Sequence, residues 1–164
     1  PSVMESRHRP VSHLMSDRRL IMLHAQSATT ATPVRPSALF DFLPTLFGAD
    51  YVKAEACIYA YAAKYIRDYS GGEWTFNQLP DGAGYLAPEE ERVFVSNPDN
   101  GFEGEMSGDA AGIFITAMVL NHRAWMHSHH DQQEASSHYV NRYEQLMALV
   151  PTHREASAIY RALD

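Results

Sequence analysis

The hydrophobic pattern of this chain changes period twice, and each change marks a change of element. From Ala49 to Tyr69 the positions Tyr51, Ala54, Ile58, Tyr61, Ala62, Tyr65 and Tyr69 recur at three- and four-residue steps, while Lys53, Lys64 and Arg67 fall largely on the other side. That spacing predicts an amphipathic helix. Gly71-Gly72 stops it and the period drops to two. Trp74, Phe76 and Gln78 alternate with Thr75, Asn77 and Leu79, which predicts a strand. Pro80-Asp81-Gly82-Ala83-Gly84 is a turn in which glycine supplies positive φ. Tyr85 to Ala87 makes a second strand, Pro88-Glu89-Glu90-Glu91 turns again, and Arg92 to Ser96 makes a third around Val93-Phe94-Val95. After a further turn, Asn97 to Gly101, Phe102 to Met106 reads as a short fourth strand or an extended lead into a helix. Successive short connections predict an antiparallel meander.

The second change comes at Ser107-Gly108-Asp109, a helix start. Behind it lies an apolar run, Ala110 to Leu120, broken only by Gly112 and Thr116. A helix that is apolar nearly all round is buried on most sides, so this one is predicted to be central. Asn121 to Asp131 is polar and rich in histidine. Further helices are predicted over Ala38 to Phe47, with Ser37 as N-cap, Pro44 inside and Gly48 at the end, and over about Asp131 to Leu149. The last runs over His153 to Leu163, where Thr152 and Glu155 have the spacing of a capping box. The expectation is an α+β fold: a small antiparallel meander sheet of three or four strands packed with about five helices. It forms a single compact domain over residues 37–164. Residues 1–36 read as a flexible N-terminal tail, with a short helix over Val11 to Ala25 and a linker over Gln26 to Pro36.

A chain of 164 residues needs no metal or disulfide framework to fold, because that size buries roughly 70% of the unfolded surface. Cys57 is the single cysteine, so no intrachain disulfide forms, which fits a reducing compartment. The longest apolar run falls well short of the roughly 20 residues that span a bilayer. No signal-peptide stretch is visible, so no export signal is expected. Charge changes the picture more. Residues 1–36 carry five arginines against two acids, net +3, and the remainder is net −10. Residues 68–109 hold ten acids against Arg92 alone. An acidic surface repels the phosphate backbone and attracts basic partners, which argues against nucleic acid as the main partner.

His122, His127, His129, His130, Asp131, Glu134 and His138 contain ligand types suited to zinc, and His130, Glu134 and His138 share a face if their helix starts early enough. There is no HExxH motif and no CxxC pair, and histidines near a helix C-terminus also complement its dipole. Glu103 and Glu105 point the same way in an extended segment, with Asp109 nearby, but a carboxylate in a first helical turn is stabilised by the dipole without any catalytic role. Cys57 sits among alanines and reads as a buried structural thiol. No GxSxG is present, and no glycine pair is followed by the GK[ST] of a phosphate loop. The acids are too few and too concentrated in turns for a DNA mimic. The tyrosines of the first long helix suit core packing better than base stacking. The residues alone therefore predict a small interaction domain with an acidic face, and nothing in them supports an enzyme.

Three segments go further. Trp74-Thr75-Phe76-Asn77-Gln78-Leu79, Gly84-Tyr85-Leu86-Ala87-Pro88 and the long run from Pro98 through Asp109 to Ile113 resemble the antirestriction family of ArdB/KlcA type, over a stretch from about Leu39 to the C-terminus. The family usually has an aromatic where Gly101 stands, a departure that softens the loop. The resemblance implies a protein of plasmids and other mobile elements. Such a protein acts in the bacterial cytoplasm to protect incoming DNA from type I restriction-modification, without enzymatic activity or cofactor. The partner it implies is the type I machinery or a host factor controlling it. The resemblance carries over no catalytic residue. The surface expected to bind a partner is Asp99, Asn100, Phe102, Glu103, Glu105 and Asp109. The alternative is a nucleic-acid-binding module using Arg7, Arg9, Arg18, Arg19 and the tyrosine-rich helix. A metal-dependent hydrolase built on the histidines ranks last.

Overall fold

Ser107 holds an extended backbone and its hydroxyl accepts the Ala110 N–H at 3.0 Å, satisfying one of the donors that a helix start leaves open. This cap begins the longest helix. In the computed structural model, which describes residues 30–164, that helix is α3 in a series of five: α1 (Leu39–Phe47), α2 (Tyr51–Tyr65), α3 (Gly108–His129), α4 (Gln133–Met147) and α5 (Ala156–Leu163). Every residue from Ala110 to Leu120 is buried. α3 continues nine residues past the apolar run, because Ala124 and His127 keep one face buried while the outer positions turn polar. Loss of all-round apolarity there marks emergence from the core, not the end of the helix.

The strands form two sheets. β1 (Thr32–Pro33), β2 (Trp74–Gln78) and β3 (Gly84–Pro88) are antiparallel in that order, with Phe76 opposite Leu86. β4 (Val93–Asn97) and β5 (Phe102–Met106) make a separate hairpin, with Val95 opposite Gly104. The expected single meander is therefore split between β3 and β4, within an α+β fold of the expected class. The cause is α3, which takes the outer edge of β3. The Thr116 hydroxyl accepts the Leu86 N–H at 3.2 Å and donates to the Leu86 carbonyl at 3.3 Å. Two glycines one turn apart allow the approach. A Cβ on Gly108 would lie 2.2 Å from the Glu90 carbonyl oxygen, and one on Gly112 would lie 2.4 Å from the Ala87 Cα. β4 is drawn to α2 instead. Ile66 bridges to Val95 and the Arg67 N–H donates to the Phe94 carbonyl at 2.9 Å. That pairing ends α2 at Tyr65, four residues before its apolar period ends.

Three local expectations are corrected. Ser37 lies inside a 3-10 turn, Pro36–Ala38, and does not cap α1, whose N-cap position is Ala38. The Thr152–Glu155 capping box does not form: the Thr152 hydroxyl donates to the Leu149 carbonyl, the Glu155 carboxylate turns to Ser107, and α5 starts at Ala156. The last residues of the segment expected to be tail, 30–36, join the fold. β1 pairs with β2 and the Val34 N–H donates to the Phe76 carbonyl at 2.9 Å. The helix expected over Val11 to Ala25 and the arginines before residue 20 lie outside the described residues. No described helix is long and apolar enough to cross a membrane.

The α3–β3 contact makes a signed prediction. Alanine is about 1 kcal/mol better than glycine inside a helix, whereas forcing a methyl against backbone costs about 1–3 kcal/mol. The clash outweighs the helix gain, so Gly112→Ala is expected to lower unfolding free energy by up to about 2 kcal/mol in urea denaturation. A stabilised variant would show that the contact yields.

Candidate functional site

The loop between β4 and β5 is built on two asparagines. The buried Asn97 amide donates to the Ala162 carbonyl at 2.9 Å, and its side-chain oxygen accepts the Asp99 N–H at 3.1 Å. The Asn100 amide donates to the carbonyls of Arg161 (3.2 Å) and Ala162 (3.1 Å), and its oxygen accepts the Phe102 N–H at 2.9 Å. Together they cap carbonyls at the C-terminal end of α5, where a helix runs out of its own donors. Gly101 takes the left-handed turn at φ +76°. Phe102 is half-buried, with the Arg161 guanidinium 5.5 Å from its ring centroid. The loop is thus seated on α5 by its own side chains, and Asn100 and Phe102 are used in seating it.

The acids divide the same way. Strand alternation in β5 turns Glu103 and Glu105 outward together while Met106 is fully buried. Asp99 is exposed at the turn. Its contact with Lys64 is 3.9 Å, and that of Glu105 with Arg92 is 4.0 Å. Such exposed pairs contribute about 0–1 kcal/mol and exchange readily for a partner's charges. The Glu90 carbonyl accepts the Gly108 N–H at 3.1 Å, which places the exposed turn Glu89 to Glu91 beside the start of α3. Asp109 is different. It accepts the Tyr85 hydroxyl at 2.7 Å on one oxygen and meets His153 Nε2 at 2.8 Å on the other. Burial first, then this bond, holds the Tyr85 phenol far above its ordinary range. Of the six residues expected at the surface, Asp99, Asn100, Glu103 and Glu105 are exposed and Phe102 and Asp109 are half-buried, and Asn100, Phe102 and Asp109 also hold the scaffold.

Two carboxylates that matter structurally have no local signature. Glu155 accepts the Ser107 N–H at 2.9 Å and the Ser107 hydroxyl, and pairs with Arg92 at 3.2 Å. It ties the start of α3 to the approach to α5. Asp50 receives Arg123, His127 Nε2 (3.0 Å) and the Tyr139 hydroxyl (2.9 Å) on a single oxygen. Burial raises the carboxyl of each. For Asp50 the bonds from His127, Arg123 and Tyr139 outweigh burial, and for Glu155 those from Ser107 and the field of Arg92 do, so both sit below their ordinary values. Asp50 opens onto a cleft of about 820 Å³ shared with Gly48, Asp131, Glu134 and His138.

The histidines do not converge. Among the described residues no three His, Cys, Asp or Glu side chains form a metal-holding group. His122 Nδ1 lies 2.7 Å from the Tyr61 hydroxyl, and burial followed by Lys64 holds its pKa below the usual value. His127 is spent on Asp50 and, 2.5 Å from Nδ1, the Gln132 side-chain oxygen. His138 Nε2 faces the Leu46 carbonyl at 2.9 Å. α4 starts at Gln133, so His130 never joins Glu134 and His138 on one face. Cys57 is half-buried, not buried, and lines a shallow groove with Tyr61, His122 and Trp125.

These features define an α+β domain whose acidic hairpin is seated on its last helix. The chain belongs to the antirestriction protein family, whose model matches residues 67–164, from the end of α2 to the C-terminus. It is 42% identical over 124 residues to the putative antirestriction protein YubI of Escherichia coli K12, covering 76% of this chain and 88% of that protein. It is 39% identical over 137 residues to the antirestriction protein KlcA of Escherichia coli, covering 82% and 94%. A solved structure matches with a TM-score of 0.73 and 36% identity over 83% of this chain and 95% of the other. The structures of KlcA and ArdB to which it belongs are described as showing a novel fold, with antirestriction activity against type I DNA restriction systems in vivo but not in vitro.

The Asp50 network predicts acid lability. Folded values below the ordinary 3.8 and 4.5 of Asp50 and Glu155 mean that their contribution is complete above about pH 4.5 and is lost as pH falls through the lowered values. Asp50→Asn leaves Arg123 without its carboxylate and is expected to cost about 3 kcal/mol at pH 7. It should also flatten the loss of stability below pH 4, as read by denaturation at stepped pH.

Proposed function

We propose that this chain protects incoming mobile-element DNA by counteracting type I restriction, as a non-enzymatic inhibitor that binds a protein through the acidic face of the β4–β5 hairpin. The partner is the restriction machinery or a host factor that controls it, met in the bacterial cytoplasm. The observation that carries this reading is the division of labour in the hairpin. Asp99, Glu103 and Glu105 are exposed, Asp99 and Glu105 in loose ion pairs, on a hairpin that Asn97 and Asn100 bond to α5. A preorganised loop loses little conformational freedom on binding, which favours recognition. Family membership supplies the biological role. The behaviour described for KlcA and ArdB, active in vivo but not in vitro, favours an indirect route through a cellular component.

The nucleic-acid alternative draws less support. Tyr65 is buried, and Tyr61 and Tyr69 bond to His122 and Trp74, so α2 presents no row of free rings. Gel shift at low salt tests it directly.

The combined variant Asp99→Asn, Glu103→Gln, Glu105→Gln keeps every bond that seats the loop. It is expected to abolish protection of unmodified phage DNA in cells carrying a type I system, with thermal unfolding unchanged. Full protection by this variant would refute the acidic-hairpin reading. Asp109→Asn is expected instead to act through stability, by weakening the Tyr85 and His153 contacts by about 1–2 kcal/mol.

A further inference from the structure

Between the end of α2 and β2 lies a second feature, which no charge pattern announces. Tyr59 on α2, the segment Tyr69 to Glu73 and the start of β2 enclose a cleft of about 520 Å³ lined by Tyr59, Tyr69, Gly72, Glu73, Trp74 and Phe76. All four aromatics are half-buried, at the rim of the core and not inside it. Three rings stand at near right angles: Tyr59 and Trp74 with centroids 5.4 Å apart at 77°, Tyr69 and Trp74 with centroids 6.2 Å apart at 76°. Their polar handles are already engaged. The Trp74 indole N–H donates to the Tyr69 hydroxyl at 3.1 Å, and the Tyr59 hydroxyl donates to Glu55 at 2.9 Å. The walls are therefore set before any ligand arrives. Gly72, at φ +127°, has no atom within 4 Å of where a Cβ would be, which leaves the mouth open. Glu73 is exposed at the rim, and among the described residues no lysine or arginine lines the cleft.

Perpendicular aromatic walls with a carboxylate at the mouth select for a cation, which the ring faces attract and the carboxylate neutralises. A guanidinium fits better than an ammonium, because it stacks flat on a ring while its N–H groups reach a carboxylate. A nucleobase would also stack, but its phosphates would meet Glu73 and the net negative charge of residues 37–164. We propose that this cleft is a socket for an arginine side chain presented by an exposed segment of a protein partner. The choice of a protein partner rests on the function proposed above; binding of the guanidinium does not. The segment that lines the socket is also tied to the hairpin, since Arg67 bonds to Phe94 of β4.

Trp74 reports on its own socket. The chain has two tryptophans, Trp74 and Trp125, and Trp125 is 64% exposed. A Trp125→Phe protein thus leaves Trp74 as the only indole. Its fluorescence is followed while N-acetyl-Gly-Arg-Gly-amide is added, in parallel with the same peptide carrying citrulline and with a short oligothymidine. A saturable change with the arginine peptide is expected, at least about fivefold weaker with citrulline. Glu73→Gln is exposed and leaves the rings in place, and it should weaken binding about two- to fivefold. Tyr69→Ala, checked for folding by circular dichroism, should weaken it by about tenfold. No saturable response, equal binding of citrulline, or tighter binding of oligothymidine would overturn the socket. A response seen only when Arg7, Arg9, Arg18 and Arg19 are all replaced by glutamine would assign it to the chain's own arginines and overturn the partner. None of these readouts involves restriction, so their failure leaves the acidic-hairpin reading standing. Loss of that reading in the phage assay likewise leaves the titration intact.

Discussion

Helix α3 lies against the backbone of β3 with no room for a side chain between them, and most of the architecture follows from that contact. Gly108 and Gly112 bring the helix down onto Pro88, Glu90 and Ala87, and Thr116 then bonds both polar groups of Leu86. A strand edge satisfied by a helix side chain cannot also pair with another strand. β4 and β5 are therefore expelled into a hairpin of their own, and α2 gives up its last turn to receive β4 at Ile66 and Arg67. One close approach thus sets both the number of sheets and the length of a neighbouring helix.

The same contact makes the acidic surface rigid. With the start of α3 fixed, Ser107 can hold Glu155, and Glu155 fixes the approach to α5. α5 in turn offers its terminal carbonyls to Asn97 and Asn100, which carry the loop. Asp109 closes the arrangement through Tyr85 and His153. The chain of support runs from core glycines to surface carboxylates without a flexible link. A loop with Gly101 at its tip is otherwise expected to be mobile.

What the sequence made legible was whatever has a local period or a local cap. The all-round apolarity of Ala110 to Leu120, the N-cap at Ser107, the alternation of β2 and the outward pairing of Glu103 with Glu105 could all be read from a few neighbouring residues. What was missed depends on partners far apart in the chain. Asp50 looks like any acid before a helix, and its meaning lies in Arg123, His127 and Tyr139, which are 73 to 89 residues away. The pattern of Thr152 and Glu155 promised a local cap, but Glu155 found a better donor pair at Ser107. Asn100 and Asp109 read as surface residues and are open to solvent, but both also bond back into the fold. Only the position of α5 and of Tyr85 and His153 shows that they are spent on the scaffold. The tyrosines of α2 serve packing as their spacing suggests, but the two rings set perpendicular to Trp74 cannot be inferred from α2 alone.

A protein that binds through exposed carboxylates alone would be weak and easily screened, because such charges act over about 10 Å at moderate salt. Surface charge mainly steers encounter and selects the sign of a partner, whereas buried aromatic contacts slow its departure. In the proposed reading the hairpin and the aromatic cleft divide these roles: Asp99, Glu103 and Glu105 would attract a basic surface, and Tyr59, Tyr69 and Trp74 would anchor one side chain of it. Both depend on the segment after α2, which is pinned to β4 by Ile66 and Arg67 and carries Tyr69 and Glu73 a few residues on. A disturbance of that segment would loosen hairpin and socket together, so the early end of α2 is the point at which the fold couples its charged surface to its aromatic one.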